Sequence, residues 1–306
     1  EIAANLKAGK RGPDVCKQVR GTAYFTKDAQ DISFPAVWCP SMEETVEDKI
    51  KYAESVKIQY AQQDHITGKA IVQKHGHRLL VQNPPSIPLT TEEMDWVYGL
   101  PYERTYHPSY EAVGGVPAIA EVQFSIIHNR GCFGGCNFCS LAFHQGRYIS
   151  SRSHESVVAE GKRIAQHPDF KGYIHDVGGP TANFRFPACK KQETQGLCQN
   201  KRCLFPKACG NLRADHSDYL KLLRQLREIP GVKKVFVRSG LRYDYMMADD
   251  NDEFFLELVK YHISGQLKVA PEHMSDHALY YMGKPSFDVY RRFKERYERI
   301  NAKLGK

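Results

Sequence analysis

Glu121-Val122-Gln123-Phe124-Ser125-Ile126-Ile127-His128-Asn129-Arg130-Gly131-Cys132-Phe133-Gly134-Gly135-Cys136-Asn137-Phe138-Cys139 opens the half of the chain in which the fold can be read. Its first seven residues alternate as a strand does. A glycine-rich loop follows, and Ser153 then caps a helix containing Val157, Val158, Ile164 and Ala165. The unit recurs. Tyr173 to Val177 reads as a strand, Asp218 to Arg227 as a helix and Lys234 to Val237 as a strand. A helix around Asp252 to His262, a strand from Gln266 to Ala270 and an amphipathic helix with Tyr290, Phe293 and Tyr297 complete it. Strands alternating with helices predict a parallel sheet, because parallel neighbours need a crossover connection. Four strands are too few for a closed eight-stranded barrel. The expected fold is therefore α/β: a partial, TIM-like (βα) barrel over residues 120–306, incomplete at its C-terminus.

Working outward, residues 1–119 read as an N-terminal extension, mostly helical or irregular. Glu1 to about Ser41 has weak periodicity. Ser41-Met42-Glu43-Glu44 is a capping box, and Val46, Ile50, Ala53, Val56 and Tyr60 follow at helical spacing, so one helix is expected over about 42–62. A second capping box, Thr90-Thr91-Glu92-Glu93, follows the proline-rich loop 83–88. His75-Gly76-His77 reads as a turn into the strand Arg78-Leu79-Leu80-Val81 rather than as a ligand pair.

The cysteines carry the chemistry. Seven of the nine fall in two groups, Cys132, Cys136 and Cys139, and Cys189, Cys198, Cys203 and Cys209, leaving Cys16 and Cys39 apart. An odd number, in a chain of 306 residues with no apolar export segment at Glu1 to Lys10, argues against a disulfide scaffold. Clustered thiols in a reducing compartment bind metal or do redox chemistry. In C-x3-C-x2-C, soft thiolates from one tight loop can converge on an iron–sulfur cluster, and three of them leave one iron of a 4Fe–4S cluster open. A structural zinc site would need a fourth ligand, for which His128 and His144 are candidates. The second group can close a site with four thiolates, suiting a second iron–sulfur cluster or zinc. It lies in a Cys-rich insertion over about 183–212, poor in apolar residues, which metal binding would order.

Ligands of parallel α/β folds sit at the C-terminal ends of strands. Gly178-Gly179-Pro180 lies there, and so do Arg238, Ser239 and Glu272, for which contacts to ribose, carboxylate or substrate compete with plain loop anchoring. The net charge of +8 suits a polyanion such as RNA, although the basic residues are scattered. With 42% hydrophobic residues and no run of about 20 apolar ones, no membrane association and a cytoplasmic location are expected.

The C-x3-C-x2-C loop with Phe138 before its last cysteine resembles the signature of the radical S-adenosylmethionine (radical SAM) superfamily. The wider context is similar to its YgiQ family, whose reaction is not generally assigned. The likeness rests on Arg130 to Cys136, Ser151-Arg152-Ser153, Asp176-Val177-Gly178-Gly179-Pro180-Thr181-Ala182-Asn183 and Lys268-Val269-Ala270-Pro271-Glu272-His273. It also takes in Asn83-Pro84-Pro85 and Leu89 to Asp95, and so runs from about residue 65 to the end.

The resemblance implies a 4Fe–4S cluster on Cys132, Cys136 and Cys139 and S-adenosyl-L-methionine as cofactor. It further implies reductive cleavage to a 5′-deoxyadenosyl radical, hydrogen abstraction from an unassigned substrate, and an electron donor such as flavodoxin or ferredoxin. It places Phe138 beside the cofactor and the Gly178-Gly179 backbone against its amino group, with Pro180 standing where many relatives carry an acid. No catalytic side chain is assigned. It also leads to the expectation of further chain before Glu1, similar to a cobalamin-binding domain, and of further barrel strands after Lys306. The competing class is a metal-stabilised RNA-binding protein without radical catalysis, suggested by Lys190, Lys191, Lys201, Arg202 and Lys207 around the second cysteine group.

Overall fold

The computed structural model describes residues 1–305 and divides into two compact units. The first comprises Glu1–Pro88, Ala142–Arg147 and Lys190–Asn200; the second comprises Leu89–Leu141, Tyr148–Cys189 and Lys201–Lys306. The Cys-rich segment is thus shared between them, with Cys198 in the first and Cys189, Cys203 and Cys209 in the second.

The first unit is built on a four-stranded sheet, a correction to the expectation of a mostly helical or irregular extension. Its strands are β1 (Ala23–Thr26), β2 (Ala36–Trp38), β3 (Ala70–His75) and β4 (Arg78–Gln82), in the order β1-β4-β3-β2. The pairs β1–β4 and β3–β4 are antiparallel, and β2–β3 is parallel. Ala23-Tyr24-Phe25-Thr26 alternates in burial but not in polarity, so its period of two is invisible in the sequence. Gly76 makes the β3–β4 turn with φ +57°, where a side chain would be strained. The helix expected over 42–62 is two, Met42–Glu47 and Lys49–Ala61. Asp48 stands extended between them, and its carboxylate accepts from Ile50 N at 2.7 Å. The better cap broke the helix.

In the second unit, strands stack in chain order. β5 (Ser125–Ile127) pairs parallel with β9 (Asp176–Gly178), while β8 (Tyr173–Ile174) pairs parallel with β10 (Lys234–Val235). His175 interrupts a single extended segment between β8 and β9. Beyond β10 the row continues, among the described residues, only as a parallel bridge between Leu241 and Val269. The strand expected over 266–270 is therefore reduced, among the described residues, to one pair. Residues 121–123 are likewise not strand: a helical turn, Ile119–Val122, precedes β5, and Arg104 Nη1 donates to Gln123 O at 2.9 Å. Among the described residues no closed barrel forms; the architecture is α/β with mixed sheets.

Two helices cover this row as the sequence predicts. His154–Ala165 is capped by Ser153, whose Oγ accepts from Ser156 N at 3.0 Å, and it buries Val157, Glu160, Gly161 and Ile164 at i, i+3, i+4 and i+7. Ser217–Arg227 buries Tyr219, Leu220, Leu222, Leu223 and Leu226. Gly161 lets the layers meet, since a Cβ there would come within 2.8 Å of Ile229 and Leu226. Phe293 and Ile300 of the helix Phe287–Lys303 close the same core. No helix among the described residues is long and apolar enough to cross a membrane.

Candidate metal centre

Behind β5, β6 (Asn129–Arg130) pairs antiparallel with β7 (Ser150–Ser151), so the three-cysteine loop leaves and returns at one place. Its base is fixed from inside. Asn129 is buried and donates Nδ2 to Thr181 O at 3.1 Å and Phe184 O at 2.7 Å. Phe133 stacks on Phe184 with centroids 3.7 Å apart, and Tyr245 meets both rings edge-on. The tip is fixed from outside, because Asn137 donates N to Met282 O at 2.9 Å and Nδ2 to Tyr281 O at 2.6 Å. Phe138 is exposed.

Between these anchors the thiols meet polar partners. Cys132 Sγ lies 3.3 Å from Thr181 Oγ1, and Arg242 Nη1 donates to Cys136 Sγ at 3.3 Å. Cys139 N donates to Cys136 O at 3.3 Å. Gly134 presses on the same guanidinium, and a Cβ there would collide with Arg242 Nη1. Burial pushes the Cys132 thiol up, against the pull of the Thr181 hydroxyl and Arg242. Burial works to lower Arg242, but the Asp244 carboxylate and the two cysteines outweigh it and raise its pKa. Lys284 Nζ is buried behind, donating to Ala270 O at 2.5 Å.

All nine cysteines are free of disulfides. Among the described residues no three His, Cys, Asp or Glu side chains gather closely enough to hold a metal ion, in either cysteine group. A single ion demands thiolates at about 2.3 Å, whereas a cluster presents separate irons to separate cysteines, so the two place different demands on convergence. The donor set itself suits the softer, larger group: three free thiols in one loop, two of them facing a fixed cation. In the second group Cys209 N donates to Cys203 O at 2.9 Å, and Cys203 packs on the Phe133 cluster together with Cys132. The Asn211 N–H, and then the Lys201 ammonium, hold the Cys209 thiol below its ordinary range against burial. In the first unit Lys191 Nζ lies 3.4 Å from Cys198 Sγ.

The strand ends behave unequally. Gly178 and Gly179 have no room for side chains: a Cβ on the first would meet Asp176 and Ser239, and on the second Asn129 Oδ1. Asn129 Oδ1 is itself a buried acceptor with no hydrogen-bond partner. Arg238 and Ser239 are loop anchors. Their backbone N–H groups donate to Asp176 Oδ1 at 2.7 and 3.0 Å, the Ser239 hydroxyl bonds Asp176 Oδ2, and the Arg238 guanidinium reaches Ser264 and Glu121. Glu272 holds φ +72° and stands 4.0 Å from Lys284 Nζ. A non-glycine residue in that region is strained, and such strain collects at functional sites.

Sequence reasoning missed Arg242, Asp244, Asn183 and Lys284 as neighbours of the loop. A signal was available in Leu241-Arg242-Tyr243-Asp244, where opposite charges two residues apart follow a strand end.

Residues 1–125 match the family model described as Radical SAM N-terminal. A UPF0313 protein of Clostridium botulinum (strain ATCC 19397 / Type A) is 59% identical over 293 residues, covering 96% of this chain and 45% of that one. A UPF0313 protein of Clostridium perfringens (strain ATCC 13124) is 53% identical over 306 residues, covering 100% and 46%. Over residues 1–125 the chain is thus similar to the N-terminal region of radical SAM proteins. Over nearly all of its own length it is similar to UPF0313 proteins, and it spans less than half the length of the curated relatives it matches.

Proposed function

We propose that Cys132, Cys136 and Cys139 hold a 4Fe–4S cluster with one open iron, and that the chain forms part of a radical SAM enzyme acting on an unassigned substrate. The single observation that carries this is a loop of three free thiols whose Cys136 sulfur accepts a hydrogen bond from a buried, carboxylate-paired arginine. When bound, the cluster and S-adenosylmethionine supply one-electron cleavage of a sulfonium bond and hydrogen abstraction from substrate. The protein's own part is to position and to shield.

Gly178 and Gly179 carry no side chains at the strand end, which lets Ser239 and Asn129 close against its backbone. Asn129 Oδ1 offers an unused acceptor beside them, which suits the cofactor's ammonium group. Pro180 supplies no carboxylate, leaving backbone and Asn129 as the amino-group partners. Phe138 and Glu272 are kept as further candidate cofactor contacts, as the family resemblance implies, while Arg238 and Ser239 act through Asp176 to hold the strand end. Cys189, Cys198, Cys203 and Cys209 stand as candidate ligands of a second cluster or zinc. A donor such as flavodoxin or ferredoxin would supply the electron.

The test is anaerobic reconstitution, iron counting and incubation with S-adenosylmethionine and a reductant. About four irons per chain and formation of 5′-deoxyadenosine are expected, with about eight irons if the second group also holds a cluster. Zinc as the sole bound metal, with no 5′-deoxyadenosine, would sink the proposal in favour of a metal-stabilised RNA-binding protein.

A further inference from the structure

We infer that Arg242 is a positioning residue for the cluster, its Nη1 hydrogen bond to Cys136 Sγ raising the cluster's reduction potential. This rests on the assignment of Cys136 as a ligand. The guanidinium is buried and fully committed: Nε donates to Asp244 Oδ1 at 2.8 Å, Nη2 to Asp244 Oδ2 at 2.5 Å, and Nη1 to Cys136 Sγ at 3.3 Å. The fork on Asp244 fixes the plane of the guanidinium, so the remaining nitrogen has one direction to point.

The backbone is fixed as firmly. Asn183 accepts from Arg242 N through Oδ1 at 2.9 Å and donates Nδ2 to Arg242 O at 3.2 Å. Asn183 Nδ2 also stands 3.0 Å from His216 Nε2, and His216 Nδ1 is 2.6 Å from Asp249 Oδ2. Gly134 completes the seat, because any side chain there would displace Nη1 from the sulfur. Three separate segments thus converge to hold one donor on one thiol.

Hydrogen bonds to ligand sulfurs are among the factors that set iron–sulfur potentials. A donor on Cys136 Sγ draws electron density from the sulfur and favours the reduced, more negative cluster. A donor carried by an ion-paired arginine acts mainly as a local dipole, so geometry matters more than net charge. Asp244 and Asn183 therefore belong to the device although neither touches the sulfur.

The experiment is a spectroscopic redox titration of the anaerobically reconstituted chain without S-adenosylmethionine, comparing wild type with Arg242→Met, Arg242→Lys and Asn183→Ala. Arg242→Met is expected to shift the one-electron equilibrium at least tenfold toward the oxidised cluster, a potential about 59 mV lower. Arg242→Lys should recover part of that shift, and Asn183→Ala should move it in the same direction by less. A wild-type potential in Arg242→Met with iron content intact overturns the inference alone. Should Arg242→Met fold without taking up iron, unshifted potentials in both other variants overturn it equally. A wild-type chain that takes up no iron overturns the ligand assignment itself.

Discussion

Cys136 is the residue on which most depends, because it is the cysteine whose sulfur accepts from Arg242. Cys136→Ala should abolish iron uptake by the loop and 5′-deoxyadenosine formation, measured after anaerobic reconstitution, while leaving the helix content by circular dichroism unchanged. The spacing of the three cysteines and the glycines between them was legible, since soft donors in a tight loop admit few other uses. The partners of those cysteines were not. Arg242 lies 106 residues from Cys136, and nothing in a local pattern reports a contact of that separation. Gly179 offers a second residue-level prediction. Gly179→Ala would drive a methyl group into Asn129 Oδ1, so it should lower stability by about 1–3 kcal/mol in chemical denaturation and weaken S-adenosylmethionine binding in parallel.

Among the elements, the helix His154–Ala165 is anchored by a buried ion pair as well as by its apolar stripe. Arg152, wholly buried, pairs with Glu160, donates to Ile127 O at 2.9 Å and to Ser156, and lies 4.6 Å over the Tyr98 ring. Arg104 pairs with the same carboxylate. Burial draws the Arg152 pKa down to about 10, which still leaves it charged at neutral pH. Glu160→Gln would strand that charge and should cost about 3–5 kcal/mol of unfolding free energy, read from denaturant titration. Replacing both Arg152 and Glu160 by apolar residues of similar volume should cost less than the single change, because no uncompensated charge remains. The motif Ser151-Arg152-Ser153 marked this position, but its role is that of a strut joining helix to strand. The helices were read well where cap and stripe agreed, as at Ser153 and Thr90. They were read poorly where a second cap competed, as at Asp48.

For the whole molecule, titration behaviour follows from buried histidines. His262 is wholly buried with Nδ1 2.8 Å from Val235 O, and burial lowers its pKa to about 4. His128, also wholly buried and beside Arg185, is held well below its ordinary value by burial and then by that cation. Both are neutral in the native state at pH 7. Their unfolded pKa lies near 6.5, so their contribution is fully present above that pH. As pH falls from 6.5 toward 4 the unfolded chain binds a proton that native His262 refuses, and stability drops by about 1.4 kcal/mol per pH unit for that group, with His128 acting in the same direction. Melting temperatures should therefore fall between pH 7 and pH 5, and His262→Gln should flatten part of that slope. The sequence by itself determined the alternation of strand and helix in the second unit, the caps, and the three-thiol loop, because each is written within a few residues. Tertiary structure alone decided that the first unit is a sheet, that the strand at 266–270 shrinks to one pair, and that Arg238 and Ser239 serve Asp176. It alone set an asparagine-held arginine on the cysteine sulfur. Those outcomes depend on which distant backbone and side-chain groups compete for the same donor or acceptor, and that competition has no counterpart in local periodicity.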